Sequence, residues 1–354
     1  MATVYNHISS NRAKTWIIVV LFPVCYSLLT YLVILGGHQI WLSLLSDYNF
    51  NEISQHVSPA SPLFYYTNRM ASKVIPLVAG LLVLWLLLAY WGGAGIMLNK
   101  VGATEITLDS DRRLYRLVEN LCVIRGLPVP KIYVVPDKAL NAFATGRNVE
   151  NAVIVLTEGL LEALDKSELQ GVIAHELAHI ENRDITLMLL IIEGIAFFIF
   201  FGEIFLKSGD LGGFFLGNLG GWGGSGTHGG AVFGLIVILI ISAIVTFIGL
   251  LLTLFGCVVA PILRFAMSRQ REFLADATAA LTTRNPGALI RALEKISQNS
   301  NTKILRRHPS MSAMCIDAPG DMQVSLFGRL SGLYASHPSI EERIKRLKQM
   351  DGQL

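Results

Sequence analysis

The feature that most constrains this chain is a set of apolar stretches near 20 residues long, the length a helix needs to cross a hydrocarbon slab of about 30 Å. Four qualify, at residues 15–35, 74–98, 185–205 and 231–263. Only 16% of the 354 residues are charged, against about 25% in a soluble domain, and the mean hydropathy is +0.51. Together these exclude a disordered chain and an ordinary cytosolic enzyme. The first stretch follows Arg12 and Lys14, as the apolar part of a secretory signal would. It is too long for one, however, and no small-x-small cleavage site follows, so it reads as an uncleaved anchor.

Orientation follows from where the positive charges sit. Of the 29 Lys and Arg residues, 26 lie in the tail, in the segment between the second and third spans, and after the fourth. The positive-inside bias puts all three of those segments in the cytoplasm and the two remaining loops outside. The net charge of +3 gives no reason to expect a nucleic-acid partner.

The resulting organisation is a cytoplasmic tail (1–14) and a first hairpin (15–98) with an outer loop at 36–73. A first cytoplasmic segment (99–184) follows, then a second hairpin (185–263) with an outer loop at 206–230, and a second cytoplasmic segment (264–354). The second loop is glycine-rich, with 11 glycines among residues 208–230. It reads as a flexible connector whose Phe214, Phe215 and Trp222 rest at the interface. Strand-like runs at 131–135 and 152–156, with helical periodicity at 112–125 and from Glu168 onward, make the cytoplasmic part an α+β domain split by a membrane hairpin. Cys25, Cys122, Cys257 and Cys315 have no spacing that suggests a disulfide framework or a Cys-based zinc site.

Chemistry is concentrated in His175-Glu176-Leu-Ala-His179. Ser167 and Gln170 resemble a capping box that would start a helix there. On that helix two imidazoles four residues apart project from one face, where both can reach one Zn²⁺ at about 2.0–2.1 Å. Glu176 sits beside them and can work on water without being a ligand. With eight histidines in the chain, the pattern would arise by chance only about 0.008 times. A structural zinc site would usually use Cys ligands and would not need Glu176.

A catalytic zinc takes three protein ligands and keeps one position open. Glu272 and Asp276 are four residues apart on an expected helix, so one could ligate while the other receives an N–H from a ligating histidine. His179 lies about 9 Å before the third span and Glu272 about 13 Å after the fourth, at helical rise. An antiparallel hairpin would bring both to a similar height, which makes Glu272 the third ligand and leaves Asp276 to the outer role.

At this point the sequence resembles the HtpX-like membrane zinc metallopeptidases, relatives of the CAAX prenyl endoproteases. The resemblance spans nearly the whole chain and rests on H-E-x-x-H followed by Asn182-x-Asp184, on R-E-F-x-A-D at 271–276, on Asn141-Ala-Phe-Ala-Thr-Gly146, and on His337-Pro with Arg343-Ile in an H-P-x-x-x-x-R-I pattern. It implies that Asn141 and Ala142 lie on an edge strand that pairs with extended substrate. It also implies that His337 stabilises the developing oxyanion and that Arg343 orients the site from behind. His308, also followed by Pro, lacks an arginine at the matching offset and reads as a surface residue. Asn182 and Asp184 read as bracing the turn into the membrane helix.

The expectation is therefore a mainly α integral membrane protein: four transmembrane helices carrying a cytoplasmic α+β zinc-metallopeptidase domain of the H-E-x-x-H type, with one Zn²⁺ per chain. It would hydrolyse peptide bonds in misfolded or damaged membrane proteins at the cytoplasmic face of the inner membrane, with self-cleavage as a further outcome. The alternatives are a CAAX-type prenyl-protein endoprotease, whose chains carry more membrane spans, and a non-enzymatic zinc-stabilised scaffold, which intact Glu176 argues against. His7, His38, His56 and His228 read as solvated. Glu193, inside the third span, is costly as an ionised carboxylate and is expected to be protonated or to face a polar gap in the bundle.

Overall fold

The computed structural model describes residues 61–219, 269–299, 315–316 and 338–351, with most of 13–36. In chain order the described elements are helices α1 (Val19–Gly36) and α2 (Ser61–Lys100), strand β1 (Thr104–Ile106), helix α3 (Arg112–Arg125), and strands β2 (Lys131–Val135), β3 (Ala142–Gly146) and β4 (Ala152–Thr157). Helices α4 (Glu158–Ala163), α5 (Lys166–Glu181) and α6 (Asp184–Leu219) follow. Then come α7 (Arg269–Thr283), α8 (Pro286–Gln298) and α9 (Ile340–Asp351). The described residues are mainly helical with one small sheet.

Two helices among the described residues are long and apolar enough to cross a membrane, α1 and the Asn68–Lys100 part of α2. They carry the spans expected at 15–35 and 74–98. Helix α2 begins at Ser61 and so takes in the end of the loop expected at 36–73. The third expected span falls on α6. That helix runs on to Leu219, into the glycine-rich segment read as a loop. Where apolar surroundings offer the backbone no other partners, helix is the available solution even at a cost of about 1 kcal/mol per glycine. The fourth span, at 231–263, lies outside the described residues.

The chain divides into two compact units. One contains the described parts of 19–86 and 194–259. An aromatic cluster holds it together: the ring of Phe197 meets Tyr26 edge-on at 5.5 Å and Trp85 edge-on at 5.6 Å. Such pairs add about 0.5–1.5 kcal/mol each beyond the area they bury.

The other unit contains 87–193 and the described parts of 1–18 and 260–354. Its sheet has the order β1-β2-β4-β3, with β2 and β4 parallel and the outer pairs antiparallel. Ile132, Ile154 and Ala144 form one cross-strand row, and it joins Val172, Ile173 and Leu177 of α5 in the core. A fully buried aliphatic side chain of this kind contributes about 1.5–3 kcal/mol. The β3 residues in that core are alanines, Ala142 and Ala144, which lets α5 lie close to the edge strand. Helix α3 has the predicted bounds. Asp111 caps it by accepting the Arg113 and Leu114 amides, and the left-handed Gly126 (φ 65°) ends it.

Helix α5 starts earlier than the Ser167–Gln170 reading allowed. Its cap is Asp165, whose carboxylate accepts the amides of Ser167 and Glu168 while Glu168 reaches back to the Asp165 amide. Asp165 and Glu168 have the same three-residue spacing, and a carboxylate cap is the stronger acceptor at a helix N-terminus. Glu168 is buried, and Lys295 of α8 neutralises it at 2.6 Å. Where α8 crosses α5, a Cβ on Gly171 would stand 3.2 Å from the Leu289 Cα. A side chain here would make α8 give by a few tenths of an ångström, one turn before His175.

Candidate metal centre

Two helices supply the centre. Helix α5 presents His175 and His179 with their Nε2 atoms 3.1 Å apart. The first turn of α7 brings Glu272 Oε2 to 3.7 Å from His175 Nε2 and 3.8 Å from His179 Nε2. Four-coordinate zinc with ligands at about 2.0–2.1 Å has ligand–ligand edges of about 3.3–3.4 Å. The observed triangle brackets that value, so these three residues form a group that could hold one ion.

Charge balance points the same way. Four buried carboxylates surround the triangle, from Glu176, Asp184, Glu272 and Asp276, against two buried guanidiniums, Arg271 and Arg343. The deficit among these described groups is two positive charges, the charge of one Zn²⁺. Buried charge left unbalanced is costly, so the donor set and its surroundings both fit a divalent cation.

The outer contacts fix the tautomer of each imidazole. His175 Nδ1 meets Asp276 Oδ1 at 3.0 Å, and His179 Nδ1 meets Asp184 Oδ2 at 2.9 Å. An Nδ1–H donated to a carboxylate leaves the Nε2 lone pair for a metal and raises its basicity. Asp276 is itself gripped by Arg343, which donates from Nε at 2.8 Å and Nη2 at 2.7 Å. Arg343 also donates from Nη1 to the Ile316 carbonyl at 2.9 Å. Arg271 Nη1 holds Asp184 at 3.3 Å. Sequence reasoning gave Asp184 only a bracing role and missed its partnership with His179. The one available signal was its place five residues beyond His179, just across the helix end.

The two histidines titrate in opposite directions in the metal-free protein. Burial pushes His175 down to about 4, with Asp276 working against it. Burial also disfavours charge on His179, but the surrounding carboxylates, Glu272 first, then Asp184 and Glu176, outweigh it and lift the group to about 9. A proton on His179 therefore stabilises the metal-free fold below the ordinary value of 6.5, and that contribution is lost as the pH rises through about 9. Zinc must displace this proton. Calorimetric titration at pH 7.5, in buffers of different ionisation enthalpy, should show about one proton released per zinc bound, and affinity should rise with pH until about 9. Proton release near zero would contradict this.

Glu176 lies against the same cleft, which is lined by Ala144, His179, Asp184, Ile185, Met188 and Glu272 among others. One wall is thus the edge strand β3. The start of β3 is tied down on both sides. On the inner side, Thr157 N–H donates to the Asn141 carbonyl at 3.1 Å and its hydroxyl to the Ala139 carbonyl at 2.6 Å. On the outer side, Ala142 N–H donates to the Asn141 side-chain oxygen at 3.0 Å, and Ile316 N–H donates to the Ala142 carbonyl at 2.9 Å. Both edge-facing groups of Ala142 are therefore engaged within the chain. Asp276 and Arg343 lie behind the histidines, as described above. His337 lies outside the described residues, as does His308. Ser339, two residues after His337, caps α9 by accepting the Glu342 amide at 3.2 Å.

Comparison with known proteins gives a consistent set of relatives. The model described as Peptidase family M48 matches residues 109–351. A Protease HtpX homolog from Bacteroides fragilis (strain YCH46) is 35% identical over 344 residues, 96% of this chain and 97% of its own length. Another, from Dictyoglomus thermophilum, is 34% identical over 353 residues, 98% of this chain and 95% of its own. Among solved structures, the crystal structure of S. mikatae Ste24p aligns with a TM-score of 0.42 at 20% identity, covering 87% of this chain and 66% of that one.

Proposed function

The chain belongs to peptidase family M48 and is a membrane-associated zinc metalloprotease acting on polypeptides, and from that premise we propose which residues do the work and where. His175, His179 and Glu272 hold the ion, Glu176 is the general base, and Asp276, Asp184, Arg271 and Arg343 hold the ligands in place. The observation that carries this reading is the ligand triangle of 3.1, 3.7 and 3.8 Å with Glu176 on the same cleft.

Held by His175, His179 and Glu272, zinc would supply acidity to a water and polarise the scissile carbonyl. The Glu176 carboxylate takes the proton of the attacking water and returns it to the leaving amine. Asp276 and Asp184 keep both imidazoles from turning. His337, two residues before the cap of α9, donates to the oxygen on which charge develops.

The setting is four membrane spans with both termini and the catalytic domain in the cytoplasm, by the distribution of Lys and Arg. Ile185 and Met188, in the first two turns of α6, line the cleft. The cleft thus adjoins in sequence the third expected span, which supports juxtamembrane segments and loops of damaged membrane proteins as substrates, in proteolytic quality control. The test is cleavage of unfolded casein by the detergent-purified protein. Hydrolysis that stops with a chelator and returns with zinc is expected; a zinc-loaded but inert protein would overturn the assignment.

A further inference from the structure

The outer edge of β3 is not uniformly open. In an antiparallel pair successive residues point their backbone groups alternately toward the partner strand and away from it. The Asn141 carbonyl faces β4, where it accepts from Thr157 N–H, and the Ala142 carbonyl faces outward, where it accepts from Ile316 N–H. The alternation then turns Phe143 inward and Ala144 outward again, within the register Ala142↔Leu156 and Ala144↔Ile154.

The outward positions differ in their occupants. At Leu140 the N–H donates to the Asn299 carbonyl at 2.7 Å. At Ala142 the N–H is taken by the Asn141 side chain and the carbonyl by Ile316. Ile316 is only 2% exposed and its neighbour Cys315 is fully buried. The Ile316 carbonyl is held by Arg343, the residue that also grips Asp276 behind His175. Ala144, by contrast, lines the cleft together with Glu176, His179 and Glu272.

We propose that Ile316 is an end-stop on the substrate-binding edge: it fills the strand position beside Ala142, so an extended substrate pairs at Ala144 and cannot run past it. The inference rests on the metallopeptidase reading above and fixes the register in which that site takes a peptide. The strand-adding position passes from Asn141 and Ala142 to Ala144, which is a specificity-determining position because it sets how many substrate residues are held on one side of the cut. Asn141 becomes a positioning residue, supplying the oxygen that occupies the Ala142 N–H.

The experiment uses full-length, zinc-loaded protein in detergent and peptides built out residue by residue from both ends of a cleavage site mapped in casein. On one side, kcat/KM should stop rising once the residue that pairs with Ala144 is present. Ile316→Pro lacks the N–H that occupies Ala142. Ladder bonds recur every second residue, so this variant should gain about fivefold from two further substrate residues on that side, the effect of one backbone hydrogen bond. Ile316→Ala, which keeps the N–H, should retain the wild-type plateau. Ala144→Pro removes an N–H that faces away from β4, so the sheet tolerates it, and KM should rise about fivefold or more with kcat and zinc content little changed.

A second readout needs no catalysis. In protein stripped of zinc, the Ile316 amide should be protected from hydrogen exchange, and Asn141→Ala should leave that protection in place. A wild-type rate that keeps climbing on both sides, an unchanged plateau in Ile316→Pro, or an unprotected Ile316 amide would each overturn the end-stop. Failure of wild type to cleave any peptide with zinc bound, while Ile316 stays protected, would instead strike the metallopeptidase reading.

Discussion

Exchanging Glu176 for Gln will abolish peptide hydrolysis while leaving zinc in place. Gln has nearly the volume of Glu, and position 176 is buried on a helix whose packing it preserves. A carboxamide cannot take a proton from water, so the expected loss is that of a general base, about 10²- to 10⁴-fold in kcat. Metal content by atomic emission and the melting temperature should stay near wild type. Removing a ligand instead, as in Glu272→Ala, should lose both zinc and activity. The contrast between the two variants is the informative result. If Glu176→Gln retained turnover within twofold of wild type with zinc bound, the base would have to be another group and the mechanism would fail.

The second large effect is expected at Arg343, a fully buried side chain. It donates two hydrogen bonds to Asp276 and one to the Ile316 carbonyl. The arginine holds Asp276 at about 2 even though burial alone would raise it. Arg343→Met leaves that carboxylate charged and unbalanced in the interior, which typically costs about 3–5 kcal/mol. Zinc affinity should also fall, by about 10- to 100-fold, because Asp276 orients His175. Adding Asp276→Asn removes the stranded charge, so the double variant should recover stability without recovering affinity. Denaturant unfolding and competitive zinc titration would check the two arms separately. Equal stability of Arg343→Met and wild type would show that the buried pair is not what secures this end of the site.

The candidate ligands could be named from the sequence because each pair is local, although joining Glu272 to histidines some 93 residues away needed the further argument that an antiparallel hairpin brings both to one height. The two histidines lie one helical turn apart, Glu272 and Asp276 do likewise, and each pair is brought to one face by helix geometry alone. The bounds of α3 were legible from helical periodicity at 112–125, and the structure places the Asp111 cap and the left-handed Gly126 just outside them. The cap of α5 was misplaced by two residues because two overlapping patterns share one spacing, and the pairing of the buried Glu168 with Lys295, which favours Asp165 and Glu168, is a tertiary contact. Asp184 was underread because it reaches His179 across a helix end, where helical periodicity no longer applies. The contact of Ile316 with Ala142 had no sequence signal. It joins backbone atoms 174 residues apart, and a backbone hydrogen bond makes no demand on residue type.

Between α5 and α6 lie only Asn182 and Arg183, the latter in the left-handed region at φ 60°. The next residue, Asp184, opens a helix of 36 residues and holds His179 Nδ1. The imidazole of His179 is thus tied to the first turn of that helix. Any rotation of that first turn carries the Asp184 carboxylate with it and so re-aims the His179 ring.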